Sequence, residues 1–183
     1  MKHLKLFTFI FLTLVISCSD DDDSPTPINE EEVITTVNIE LTPNGGGTVV
    51  TLQRIDTDGD DGPNPPETTV SGAFVANTVY NGTIELLNET ETPPENITLE
   101  VEEEAEEHQF FYTVDSGLNI TTAYNNFDSN QDPLGTQFIL TAGDASSGVL
   151  TFTLRHEPTK PNTGLSDAGG ETDIEAPFDV TIE

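Results

Sequence analysis

The 183-residue chain has one cysteine, one methionine, no tryptophan and only five lysines and arginines. A single cysteine excludes an intrachain disulfide, so a packed core must supply stability. That core is left to Phe, Leu, Ile and Val. The five cations face 34 carboxylates, for a formal charge of −29. Nucleic-acid binding depends on Lys and Arg contacts to phosphate, so no nucleic-acid partner is expected. Such a surface also repels anionic lipid headgroups, stays soluble and attracts cations. Long apolar runs are missing too. Leu6 to Ile16 spans 11 residues, with Thr8 and Thr13 inside it. A bilayer-spanning helix needs about 20.

That short run follows Lys2, His3 and Lys5 and precedes Val15-Ile16-Ser17-Cys18. A basic start, a short apolar stretch and a small-residue site read as a secretory signal over residues 1–17. The final four residues resemble the lipobox of bacterial lipoproteins, in which the chain is cut before a cysteine that then carries lipid. Cys18 is therefore the expected lipidation site. Loss of Lys2 and Lys5 with the leader takes the formal charge from −29 to −31. Residues 18–32 are acidic, contain Pro25 and Pro27 and show no apolar pattern, so they read as a disordered tether. "CSDDDD" in this tether resembles the export signal of Bacteroidota lipoproteins bound for the outer leaflet. The expected location is a lipid anchor in the outer membrane facing the cell surface, with a periplasm-facing anchor as the alternative.

Residues 33–183 read as a single all-β domain. β-branched and aromatic runs alternate with period two and are separated by Gly, Pro, Asn and Asp clusters. About ten strands are predicted, including "ITLEVE" over 97–102 and "HQFFYTV" over 108–114. Asn44-Gly45 predicts a hairpin turn. The one helix-favouring run, Glu102 to Glu107, is too short to stand alone. In 148–156, Leu150, Phe152 and Leu154 share one face. In 83–86, Ile84 and Leu86 do. One buried face per strand predicts antiparallel sheets, as a β-sandwich or, alternatively, a lipocalin-like up-and-down barrel.

"NEEEVITTV", "DGPNPP", "EHQFFY", "TLRHEP" and "GGETDIEAPFDVTI" resemble a family of small Bacteroidota outer-membrane lipoproteins. That family is often labelled "type 1 periplasmic binding fold superfamily". The resemblance implies an exported lipoprotein. The label implies two α/β domains, whereas the strand pattern of this chain predicts an all-β fold.

The chain has no G-x-S-x-G, no H-E-x-x-H and no phosphate-binding glycine fingerprint, so no catalytic residue is assigned and no enzyme is expected. "NGGGT", residues 44–48, is explained by the hairpin turn. "DTDGDDGPNPPE" places Asp56, Asp58, Asp60 and Glu67 at positions 1, 3, 5 and 12 of a calcium-loop frame. Its sixth position is Asp61 where glycine is usual, and three prolines exclude a following EF-hand helix. A plain acidic turn is the competing reading. No cofactor is assigned; calcium and zinc are the leading candidate ions of the chain.

Zinc enters through His108 and His156. Each has the parity of its strand's apolar residues and sits at a strand end. If 108–114, 118–126, 135–142 and 148–156 run alternately up and down, both imidazoles reach one end on the core side. The turns there carry Glu106, Glu107, Asp128, Asp132 and Glu157. Two imidazoles with carboxylates suit zinc or copper. The competing reading is two independent strand-end histidines. At the level of function, one expectation is a non-catalytic surface binding module for a metal ion or small ligand, serving an outer-membrane transporter. The other is a structural or adhesive acidic surface lipoprotein.

Overall fold

Alternation of apolar and polar side chains decides the layers. A computed structural model describes residues 32–59 and 62–183; the leader, Cys18 and Asp60 lie outside them. The strands are β1 (Thr36–Pro43), β2 (Val50–Ile55), β3 (Glu67–Val70), β4 (Thr78–Asn88) and β5 (Glu95–Asn96), then β6 (His108–Val114), β7 (Ile120–Tyr124), β8 (Gln137–Ala142), β9 (Ser146–His156) and β10 (Glu171–Ile182). Two short helices are α1 (Ile97–Glu103) and α2 (Leu165–Ala168).

Strands β3-β2-β1-β4-β8-β7 form one sheet, with β5 on the side of β4, and β10-β9-β6 form the other. All ladder pairings are antiparallel. The fold is therefore an antiparallel β-sandwich, not a closed barrel. Leu150, Phe152 and Leu154 of β9 and Ile84 and Leu86 of β4 lie in the shared core, as their parity predicts. Phe152 stands over Phe138 of the facing sheet at 5.5 Å between ring centroids.

Two expectations are corrected. Residues 97–102 are helix, not strand. Asn96 caps the helix by accepting a hydrogen bond from Thr98 N, and Ile97, Thr98 and Val101 are buried at helical spacing. The Thr98 hydroxyl accepts from Leu86 N at 2.8 Å, satisfying a backbone group of β4. β-branched residues hid this helix, because a short apolar run does not fix its period. Of the short helix-favouring run 102–107, only Glu102 and Glu103 are helical, at the end of α1, and 104–107 are turn.

The second correction concerns the meander. The chain leaves the small sheet after β6, makes the β7–β8 hairpin in the large sheet, and returns as β9. The four strands are therefore not neighbours in one sheet. The crossing nonetheless makes β6 and β9 direct antiparallel partners, with His108 opposite His156.

Candidate metal centre

Three strand ends and one segment before β1 converge at this end of the small sheet. His108 opens β6 and His156 closes β9, and cross-strand neighbours lie within side-chain reach. Their rings stack with centroids 4.6 Å apart and planes 29° apart. Asp173 comes from a β-bulge, the irregularity between Thr172 and Ile174 where β10 pairs with β9. An extra residue there turns its side chain inward. Glu32 precedes β1, and its two carboxylate oxygens approach one edge nitrogen of each ring. Gly170 keeps the loop before β10 close. It has φ +70°, and a Cβ there would overlap His156 O.

The four side chains are 95% or more buried. His108 Nε2 lies 3.0 Å from Glu32 Oε1 and 4.0 Å from Asp173 Oδ2. His156 Nδ1 lies 3.8 Å from Glu32 Oε2 and 3.9 Å from Asp173 Oδ1. Glu32 Oε2 and His156 Nδ1 are buried without a hydrogen-bond partner among the described residues. Such groups carry a desolvation cost that an ion would offset. One ligand atom from each of the four lies within 4.8 Å of every other. Tetrahedral zinc, with bonds near 2 Å, sets its ligand atoms about 3.3 Å apart. Closing the site thus needs the widest pair to approach by at most about 1.5 Å, a shift of under about 1 Å for each atom. His108 Nδ1–H donates to Glu104 O at 3.2 Å, which leaves Nε2 to face the site.

Burial would raise Glu32, but the hydrogen bond from His108 and the nearby imidazoles hold it below its ordinary 4.5. Burial would lower His108, but the Glu32 hydrogen bond and charge, Glu104 O and Asp173 hold it above its ordinary 6.5. For a raised histidine, the stability contribution is full below pH 6.5 and is lost as pH rises through the folded value. For a lowered glutamate, it is present above pH 4.5 and is lost as pH falls through the folded value. The metal-free chain should therefore gain most from this pair between pH 4.5 and 6.5. Thermal melts across pH test this against Glu32→Gln. The advantage of the wild type should shrink on both sides of the window, and a pH-independent difference would refute the pairing.

Other expected ligands go elsewhere. Glu106 accepts from the Ser129 hydroxyl. Asp128 is buried and pairs with Lys160 at 3.1 Å, and its Oδ1 accepts from the backbone N–H of Asp132. A local Asx-type loop and a buried ion pair thus engage the Asp128 carboxylate, and among the described residues Glu106, Asp128 and Asp132 fall outside the ligand group of the histidine pair. Glu107 and Glu157 do stay close. With His156 they form a second, outer group of three ligand atoms within 4.8 Å.

The described candidates of the acidic loop do not converge either. Asp56 is buried against Arg54 at 3.0 Å, Asp58 accepts from Asn64, and Glu67 pairs with Ile55 in the ladder. Among the described residues, Asp56, Asp58 and Glu67 form no ligand group. Of this loop's candidates, Asp60 lies outside the described residues.

Two members of the inner cluster escaped sequence reasoning. Glu32 closes a run that reads as tether, yet it belongs to the site. Asp173 has the parity opposite to Ile174, Ala176 and Phe178, so strict alternation points it outward. A bulge could have been sought in "GGETDIEAPF", where two glycines precede an acidic residue beside the apolar series. No family model, curated protein or solved structure matches the chain.

Proposed function

We propose that the chain is a lipid-anchored, non-catalytic binding module of the outer membrane whose ligand is zinc, held by Glu32, His108, His156 and Asp173. The observation that carries this reading is the convergence of two imidazole nitrogens and two carboxylates in a buried cluster. Two nitrogens and two oxygens suit zinc. Calcium takes six to eight oxygens, which this cluster lacks. Copper(II) favours a tetragonal arrangement. Two carboxylates with neutral histidines carry two negative charges, which a divalent cation neutralises. Four protein ligands also complete a tetrahedral shell, as in structural rather than catalytic zinc sites.

Cobalt(II) titration of the purified full-length chain tests the site. Intense tetrahedral d–d bands should rise to a 1:1 ratio, and zinc should bleach them. Weak octahedral bands alone would mean loose carboxylate binding. A second reading has one observation in its favour. The 3.0 Å contact of His108 with Glu32 already pairs two of the four groups without an ion. On that reading the chain is an acidic structural or adhesive surface lipoprotein, and cobalt leaves its spectrum unchanged. The transporter partnership and surface orientation belong to the same proposal. Cys18→Ser should release the chain from membranes, and retention would remove the anchor.

A further inference from the structure

His156 belongs to two ligand groups, one on each side of its ring. Nδ1 faces Glu32 and Asp173 at 3.8 and 3.9 Å. Nε2 faces Glu107 Oε2 at 4.0 Å. Glu107 has a side chain 59% exposed, and Glu157 is exposed as well. Backbone geometry holds these two glutamates together: Glu157 N donates to Glu107 O at 2.6 Å. The inner group, by contrast, is sealed from solvent, and its His156 Nδ1 has no hydrogen-bond partner among the described residues. A hydrated cation cannot enter such a pocket without first shedding water onto replacement ligands.

We propose that Glu107, Glu157 and the outer nitrogen of His156 form an entry site that captures a divalent cation and passes it to the buried four-ligand site. This rests on the metal reading above and names how that site is loaded. Glutamate oxygens at the rim replace the first waters of the hydrated cation. The outer imidazole nitrogen then draws it to the wall of the inner pocket. The buried oxygens and nitrogens take over by ligand exchange, with no change in oxidation state. A shared histidine explains why the rim glutamates sit beside His156 and not at an arbitrary acidic stretch of this surface.

An entry site lies on the path in both directions, so removing it slows capture and release together. A ligand of the final site behaves differently, because its loss speeds release and weakens affinity. The two glutamates also add to the general negative field, so the control must remove equal charge elsewhere. Asp144 and Asp179 are exposed and lie toward the opposite end of β9 from His156.

Stopped-flow cobalt(II) binding to the full chain, followed by the d–d bands, compares E107Q/E157Q with D144N/D179N. Relative to that control, association and dissociation should both slow about tenfold, with Kd unchanged within about twofold. Association equal to the control would overturn the entry site and leave the inner site standing. Faster dissociation with weaker affinity would also overturn it, by making a rim glutamate an inner ligand. If the wild type binds no cobalt, the underlying metal reading fails, and the entry site with it.

Discussion

Replacing His156 by alanine should abolish tight zinc binding. The side chain supplies one of the four potential ligand atoms of the proposed site, and its Nδ1 is buried with no hydrogen-bond partner among the described residues. Loss of a group that only orients a metal ligand typically weakens binding by about 10- to 100-fold, so loss of a direct ligand should exceed about 100-fold. The same site should make stability depend on zinc by mass action. At a free concentration of 100 Kd, zinc adds about 2.7 kcal/mol to the wild type. For a domain of this size that raises Tm by about 5–10 °C. His156→Ala should show no such rise. Magnesium should produce little in either chain, because it prefers octahedral oxygen and retains its waters. The alanine variant also leaves two carboxylates beside one imidazole, so its fold must be checked. Asp173→Asn, nearly isosteric, provides the second arm and should lose zinc affinity with smaller disturbance. A wild-type shift preserved in both variants would mean that zinc binds elsewhere on the acidic surface.

Phe152→Ala should produce the largest loss of stability that does not involve metal. Phe152 is fully buried on the central strand of the small sheet. Its ring meets Tyr112 at 5.7 Å, Phe138 at 5.5 Å and Phe178 at 6.1 Å, all near edge-on. It therefore joins both layers of the sandwich. Truncating such a ring removes its transfer free energy and leaves a cavity, together about 3–5 kcal/mol. Total stabilities of about 5–15 kcal/mol make that a large fraction. Urea unfolding should show a lower midpoint with an unchanged slope. A loss below about 1 kcal/mol would mean that the surrounding rings collapse into the space.

With only three cations among the described residues, each is engaged within the fold. Arg54 pairs with Asp56 and Lys160 with Asp128, both buried. Arg155 donates to the carbonyl oxygens of Gly169 and Gly170. The charge these residues carry is thus committed to the fold, which leaves the exposed surface to its carboxylates. An acidic exterior suits the proposed cation site electrostatically, because the field draws cations toward the rim.

Local alternation was legible without coordinates. Period-two patterning depends only on which residues are apolar, so the all-β class, the bounds of β4 and β6 and the inward face of β9 followed from it. His108 and His156 were also legible as core-side strand ends, since side-chain direction in a strand alternates strictly. Which strands lie side by side was not, because pairing partners depend on where the chain crosses between layers. The β7–β8 hairpin is spliced into the other sheet, and only that crossing brings the two imidazoles into register. Asp173 needed a bulge, which breaks the very alternation used to read the strand. Glu32 needed its backbone to be carried over the end of the small sheet before β1, a long-range placement with no local signature. The helix at 97–103 was decided by Asn96 capping it and by β4 offering Leu86 to Thr98. Sequence fixes what each segment prefers locally; burial against distant segments selects among those preferences, and the four-ligand cluster exists only after that selection.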